Sequence, residues 1–323
     1  MGKTLVAVAD FPFPNLNPAE AVLSELDAEM VLADEPTLEG ILKVAAQADG
    51  LMVTYGQITA DVIKGLKKCK VIGRFGLGVD NIDIEAATKA GIAVVYVPDY
   101  CIDEVSDHAM AMLLNLARKV SFSNSLVQAG RWEMPAVTPL SRLRGRTLGL
   151  AGLGQIPRAV APKAQSFGLK VIAFDPYVDK EVAKALDVEL VDLDTLLESS
   201  NYVSVHVPMM PETEKMFGAD AFKKMKPDAL LVNTARGPLV DADALAEALD
   251  AGEIGGAALD VMPVEPPGTD HPLLGRDNVI LTPHTGFYSI EALEELQTKT
   301  ARGVVDVLQG NKPVYPINPE VLE

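Results

Sequence analysis

Short β-branched runs alternate with helical patterns along the whole 323-residue chain, and that alternation is the tightest constraint on what it can fold into. Parallel neighbours cannot be joined by a two-residue hairpin and need a crossover, so repeated βα units imply parallel sheets covered by helices. The runs fall into two series. The first contains Thr4–Asp10, Met30–Ala33, Leu51–Thr54, Val71–Phe75 and Ile92–Val97, separated by helical segments such as Pro18–Leu26 and Ile84–Lys89. A long helical stretch from Asp103 to about Ala129 and an irregular segment, Trp132–Arg146, then break the rhythm. The second series runs through Thr147–Ala151, Lys170–Phe174, Tyr202–His206, Ala229–Asn233, Ala257–Asp260 and Val279–Leu281, with helices that include Ala159–Phe167, Leu193–Glu198 and Ala242–Asp250. The fold class is α/β, with two doubly wound parallel-sheet units. A last helix, Glu291–Leu308, and a Pro-rich tail, Lys312–Glu323, follow, and the sequence alone does not show which unit they pack on.

Charge narrows the partners. The formal net charge of −17 repels nucleic-acid phosphates and anionic headgroups, which disfavours nucleic acid or a membrane surface as partner. An anionic small substrate then needs its own local cation. The two cysteines, Cys69 and Cys101, have neither metal-ligand nor disulfide-framework spacing, so no metal is expected and both read as free thiols in a reducing compartment. No stretch approaches the ~18 apolar residues of a spanning helix, and the start of the chain is too short in apolar residues for a signal peptide, which makes a cytoplasmic protein the expectation.

In open α/β sheets, ligands bind beyond the carboxyl ends of the strands. The turn Gly152-Leu153-Gly154-Gln155-Ile156-Pro157 lies there, between the strand Thr147–Ala151 and a helix that starts near Pro157. Gly152 and Gly154 allow a tight turn and close approach of backbone N–H groups to a pyrophosphate at a helix N-terminus. Pro157 replaces the third glycine of the usual fingerprint, and proline is tolerated at a first helical position. Asp175 ends the next strand, about 20 residues on, where the fingerprint expects an acid for the adenine-ribose hydroxyls. A carboxylate there repels a 2′-phosphate, which predicts NAD rather than NADP.

Arg236, Glu265 and His284 each lie just past the end of a later run. A guanidinium presents a planar fork to a carboxylate. A carboxylate beside an imidazole favours its protonated form, ready to give a proton to a substrate oxygen near neutrality. The bland readings are a loop salt bridge for Arg236, a surface charge for Glu265 and a turn cap for Asp260, which could equally orient the nicotinamide end or Arg236. Among the other histidines, His108 reads as structural, His206 as lining the cofactor cleft and His271 as solvated.

Together these residues resemble the D-isomer-specific 2-hydroxyacid dehydrogenase family. The resemblance covers nearly the whole chain and includes Gly76-Leu77-Gly78-Val79-Asp80-Asn81-Ile82-Asp83, the Gly152 turn, Asn233–Gly237, Asp260–Glu265 and Pro283-His284. Pro98–Val105 and His284–Ser289 look most like its C-terminal-binding-protein-like branch, beside the phosphoglycerate-dehydrogenase-like one. It implies a Rossmann-like NAD-binding domain over residues 103–289, a discontinuous substrate domain over 1–102 and 290–323 that closes on it by a hinge, and a homodimer. It also implies NAD-dependent hydride transfer between the nicotinamide and a 2-hydroxyacid or 2-oxoacid, D-specific. Carried over, His284 is the acid/base, Glu265 its partner and Arg236 the substrate-binding and polarising residue. Leu77 and Gly78 would hold the substrate carboxylate through their N–H groups, and Gln155, Ile156, Asp175, Val207, Thr234 and Asp260 would touch NAD. The alternative is a non-catalytic NAD(H)-sensing interaction module of the C-terminal-binding-protein type. Phe75, Tyr100, Trp132, Phe287 and Tyr288 are pocket candidates that could equally be core or dimer packing.

Overall fold

The computed structural model describes residues 3–323. The chain divides into two compact units, Met1–Cys101 with Ser289–Glu323, and Ile102–Tyr288.

The first unit holds a five-stranded parallel sheet in the order β2-β1-β3-β4-β5. Its strands are β1 (Leu5–Val8), β2 (Glu29–Leu32), β3 (Gly50–Val53), β4 (Val71–Arg74) and β5 (Ala93–Val95). The central β3 is buried at every position, as expected of a strand covered on both faces, whereas β2 at the edge is only partly covered. Each buried Val, Leu or Ile contributes roughly 1.5–3 kcal/mol of transfer free energy. The last helix, Ile290–Leu308, belongs to this unit: Cβ atoms added at Gly50 and Gly73 would lie 3.3 and 2.7 Å from the Val304 side chain. The tail is also accounted for. Asn318 runs it along β5, accepting from Val94 N at 2.7 Å and donating to Ile92 O at 3.0 Å.

The second unit holds a seven-stranded parallel sheet ordered β12-β11-β10-β9-β6-β7-β8. Its strands are β6 (Thr147–Ala151), β7 (Lys170–Phe174), β8 (Glu189–Leu190), β9 (Tyr202–Val205), β10 (Leu230–Asn233), β11 (Gly256–Leu259) and β12 (Val279–Leu281). The chain order reverses at β6, which pairs with β7 on one side and β9 on the other. That reversal makes the carboxyl end of β6 the expected ligand crevice.

Two local expectations need correction. The stretch from Asp103 to Ala129 is two helices, Ile102–Arg118 and Val120–Gln128, because Lys119 between them is left-handed at φ 50°. Asn115 explains the break: its side chain accepts from Ser121 N at 2.8 Å and donates to Ser121 Oγ at 2.7 Å, offering the backbone an alternative to helix continuation. The helix after the glycine turn starts at Gln155, so Pro157 is its third residue rather than its first. Its missing N–H still removes nothing, since the first bond of that helix is Arg158 N to Gly154 O.

Candidate active site

The strand order of the second unit sets out the candidate residues along one sheet edge. His284 follows β12, Asp260 and Glu265 follow β11, Thr234 and Arg236 follow β10, Val207 follows β9, the Gly152 turn follows β6 and Asp175 follows β7.

At the β12 side the imidazole is held from several directions. His284 Nδ1 lies 2.7 Å from Glu265 Oε2, and the ring meets Phe287 edge-on with centroids 6.0 Å apart. Glu265 is fixed in turn, its Oε1 accepting from Met262 N at 2.9 Å. Burial pushes the Glu265 carboxyl up, but the hydrogen bond and charge of His284 and the Met262 N–H outweigh it, so the group sits below the ordinary carboxylate value. Glu265 is therefore ionised near neutrality, as a partner for a proton-carrying imidazole must be.

Arg236 enters from the neighbouring loop. Asn233 shapes that loop, accepting from Ala235 N at 3.0 Å and donating to Arg236 O at 2.8 Å. Gly237 lets it lie against the next one, since an added Cβ would fall 2.0 Å from the Met262 carbonyl carbon. The loops of Arg236 and Glu265 are thus packed backbone to backbone.

Asp260 turns inward. Only 2% exposed, it accepts from Thr282 Oγ1 at 2.5 Å, Thr285 N at 3.0 Å and Gly286 N at 2.8 Å. Burial pushes its carboxyl up, but His108, Thr282 and the Thr285 and Gly286 N–H groups hold it below the usual carboxylate value.

The β6 side is built differently. Gly152 has φ +98°, and an added Cβ would lie 2.9 Å from His206 O, so only glycine fits. Around Gly154 a Cβ would meet nothing within 4 Å, and the helix that begins there has no side-chain cap. An uncapped helix N-terminus facing open space is what a pyrophosphate requires. Thr234 Oγ1 is buried without a hydrogen-bond partner, a second polar atom that a bound dinucleotide could satisfy. Gln155 and Ile156 open the helix, and Val207 lies in the unit's core at 8% exposure. Asp175 braces the turn, with Oδ2 accepting from Leu153 N at 2.8 Å and Oδ1 from Tyr177 N at 2.9 Å. His206 makes a 2.8 Å contact with Ser204 Oγ, and burial pushes it down to about 4, which keeps it neutral. In the first unit, Leu77 and Gly78 lie on the loop after β4, where Gly76 leaves room for the Arg74 guanidinium.

Residues 110–286 match the family model described as D-isomer specific 2-hydroxyacid dehydrogenase, NAD binding domain. The chain belongs to the D-isomer specific 2-hydroxyacid dehydrogenase family. Among its relatives, D-3-phosphoglycerate dehydrogenase of Methanocaldococcus jannaschii is 42% identical over 92% of this chain and 56% of its own length. Glyoxylate reductase of Thermofilum pendens is 38% identical over 88% of this chain and 86% of its own. The crystal structure of D-lactate dehydrogenase from Aquifex aeolicus with NAD and lactic acid superposes with a TM-score of 0.88 at 27% identity, covering 98% of this chain and 99% of that one. The chain spans about half the length of the curated phosphoglycerate dehydrogenases it matches. In this family context the glycine turn, the uncapped helix and the partnerless Thr234 hydroxyl fit NAD. No helix among the described residues is long and apolar enough to cross a membrane.

Sequence reasoning missed how His108 is used. Its Nε2 is 2.9 Å from Thr282 Oγ1, a pairing across 174 residues that no local pattern carries.

Proposed function

We propose that this protein is an NAD-dependent oxidoreductase that interconverts a 2-oxoacid and its D-2-hydroxyacid. The observation that carries this reading is the 2.7 Å contact of His284 Nδ1 with Glu265, at the edge that also receives Arg236. When bound, NAD supplies the hydride donor or acceptor. Arg236 takes the substrate carboxylate through its planar fork and polarises the adjacent carbonyl, supplying a local cation in a chain of net charge −17. With Nδ1 turned to Glu265, proton exchange with the carbonyl oxygen falls to Nε2 of His284. In reduction, the proton leaves Nε2 as the carbonyl becomes an alcohol, and Glu265 stabilises and orients the ring. In oxidation the same nitrogen accepts it.

Leu77 and Gly78 hold the substrate carboxylate through N–H groups. Gln155 and Ile156 offer theirs to the pyrophosphate, Asp175 selects NAD over NADP at the ribose, and Val207 and Thr234 line the coenzyme. Asp260 acts at the nicotinamide end through the His284 loop that it holds. The homologue names support the substrate class, being phosphoglycerate, glyoxylate and D-lactate enzymes.

The same reading includes a homodimer and a cytoplasmic location. The arm around residues 120–137 exposes Val120, Val127, Met134 and the single tryptophan, Trp132, which is 87% exposed. Exposed apolar side chains of this kind suit a second copy. Cys69 and Cys101 are both buried.

NADH oxidation with glyoxylate, pyruvate, hydroxypyruvate, phosphohydroxypyruvate and phenylpyruvate, followed by chiral analysis of the product, tests the assignment. Turnover with at least one acid and a D-product is expected. No turnover with any of them would contradict it. A lower KM for NADPH than for NADH would overturn the role of Asp175. Light scattering, with Trp132 fluorescence read on dilution, checks the dimer.

A further inference from the structure

The loop that carries His284 is held by a chain of hydrogen bonds that begins on another element. His108 lies on the helix Ile102–Arg118, with Nε2 at 2.9 Å from Thr282 Oγ1 and 3.4 Å from Asp260 Oδ1. Thr282 has one hydroxyl hydrogen, and its 2.5 Å contact with Asp260 Oδ1 uses it, since a carboxylate only accepts. The Thr282 oxygen is then left to accept from His108, which assigns the hydrogen of that imidazole to Nε2.

Asp260 passes the restraint on. It accepts from Thr285 N and Gly286 N through its carboxylate and from His284 N through its backbone oxygen at 2.8 Å. The restraint has something to oppose: His284 sits at φ 53°, a left-handed conformation that is disfavoured for an L-residue. Slack is also designed out of the packing. An added Cβ at Gly286 would lie 2.8 Å from Asp260 Oδ2 and 3.3 Å from His108 Cδ2.

We propose that His108 is a positioning residue for the proton-transferring imidazole, donating to Thr282 so that the chain His108, Thr282, Asp260 holds His284 in its left-handed conformation. This rests on the role of His284 given above. A histidine that only filled space would affect stability, whereas one that completes a donor chain affects where the His284 ring points.

Two variants separate these roles. His108→Leu keeps bulk and removes the donor, while His108→Gln keeps an N–H. His108→Leu is expected to lower kcat about 10-fold to 100-fold, the scale of a small misplacement of a reacting group, with the NADH Kd and the oxoacid KM within about threefold of wild type. His108→Gln is expected to restore kcat to within about threefold. Because the chain has only four histidines, the His284 ring resonance can be followed by NMR in the coenzyme-free protein, and it should move in His108→Leu and return in His108→Gln. An unmoved resonance in His108→Leu, or equal losses in both variants with matching drops in Tm, would overturn the proposal. If the wild type turned over no 2-oxoacid, the enzymatic reading would fail while the NMR comparison still decided whether His108 positions the ring.

Discussion

The two ends of the seven-stranded sheet's carboxyl edge solve opposite problems. Beyond β10, β11 and β12 the chain gathers titratable and hydrogen-bonded side chains, among them Arg236, Glu265, Asp260 and His284, and holds one of them in a left-handed backbone. Beyond β6 and β9 it does the reverse, with a glycine turn, an uncapped helix start and a histidine kept neutral by burial. Charge that must change during a reaction needs preorganised partners, whereas an anion that only has to be held needs bare N–H groups and room. Under the proposed function this edge is divided between chemistry and binding, so substitutions on the two sides should separate in kinetics.

The largest separation is expected at His284. General acid–base help is typically worth about 10²–10⁴-fold, so His284→Ala should lower kcat by that order while the NADH Kd measured by fluorescence stays near wild type. An equal loss in both quantities would erase the distinction between the two ends. Glu265→Gln keeps the shape and removes the charge. Hydrogen bonds to charged groups are worth ~1.5–3 kcal/mol, so a fall in kcat of about 10-fold to 100-fold is expected, again without a change in NADH Kd. Gly152→Ala should behave in the opposite way: the positive φ and the approach of His206 O predict an NADH Kd raised about 10-fold or more, read by the same titration.

The smallest effect concerns acid stability and sharpens the comparison from another side. Asp260 and Glu265 both have folded-state values below their ordinary 3.8 and 4.5, so the stability they add is present above those values and is lost as pH falls through the lower folded ones. Asp260→Asn should therefore lower Tm by roughly 3–10 °C near neutrality, and the difference from wild type should shrink below about pH 4. A difference that does not change with pH would mean that the carboxylate's charge is irrelevant to the loop.

What the sequence made legible follows from the same physics. Continuous apolar runs mark the strands, so β6, β7 and β12 are read at their observed bounds, and residues just past them stand out as candidates. Asp175 becomes a candidate by its spacing from the glycine turn. β8 escapes because two residues, Glu189–Leu190, at a sheet edge carry too little apolar pattern. The break at Lys119 escapes because it depends on an Asn115 side chain outcompeting the helix. The inward turn of Asp260 and its link to His108 leave no local trace, since the partners come from separate elements. Side-chain chemistry is visible in the sequence, but the direction in which a side chain points is decided by tertiary packing.

In the proposed reaction a hydride moves directly between the nicotinamide and the substrate carbon under the control of this edge. Reduction of a 2-oxoacid with NADH carrying deuterium at the transferring position of its nicotinamide ring, followed by mass spectrometry of the product, tests it most directly. Deuterium on the carbon that bears the new hydroxyl group is the predicted result. A product formed without deuterium there, or no product from any 2-oxoacid, would contradict the account.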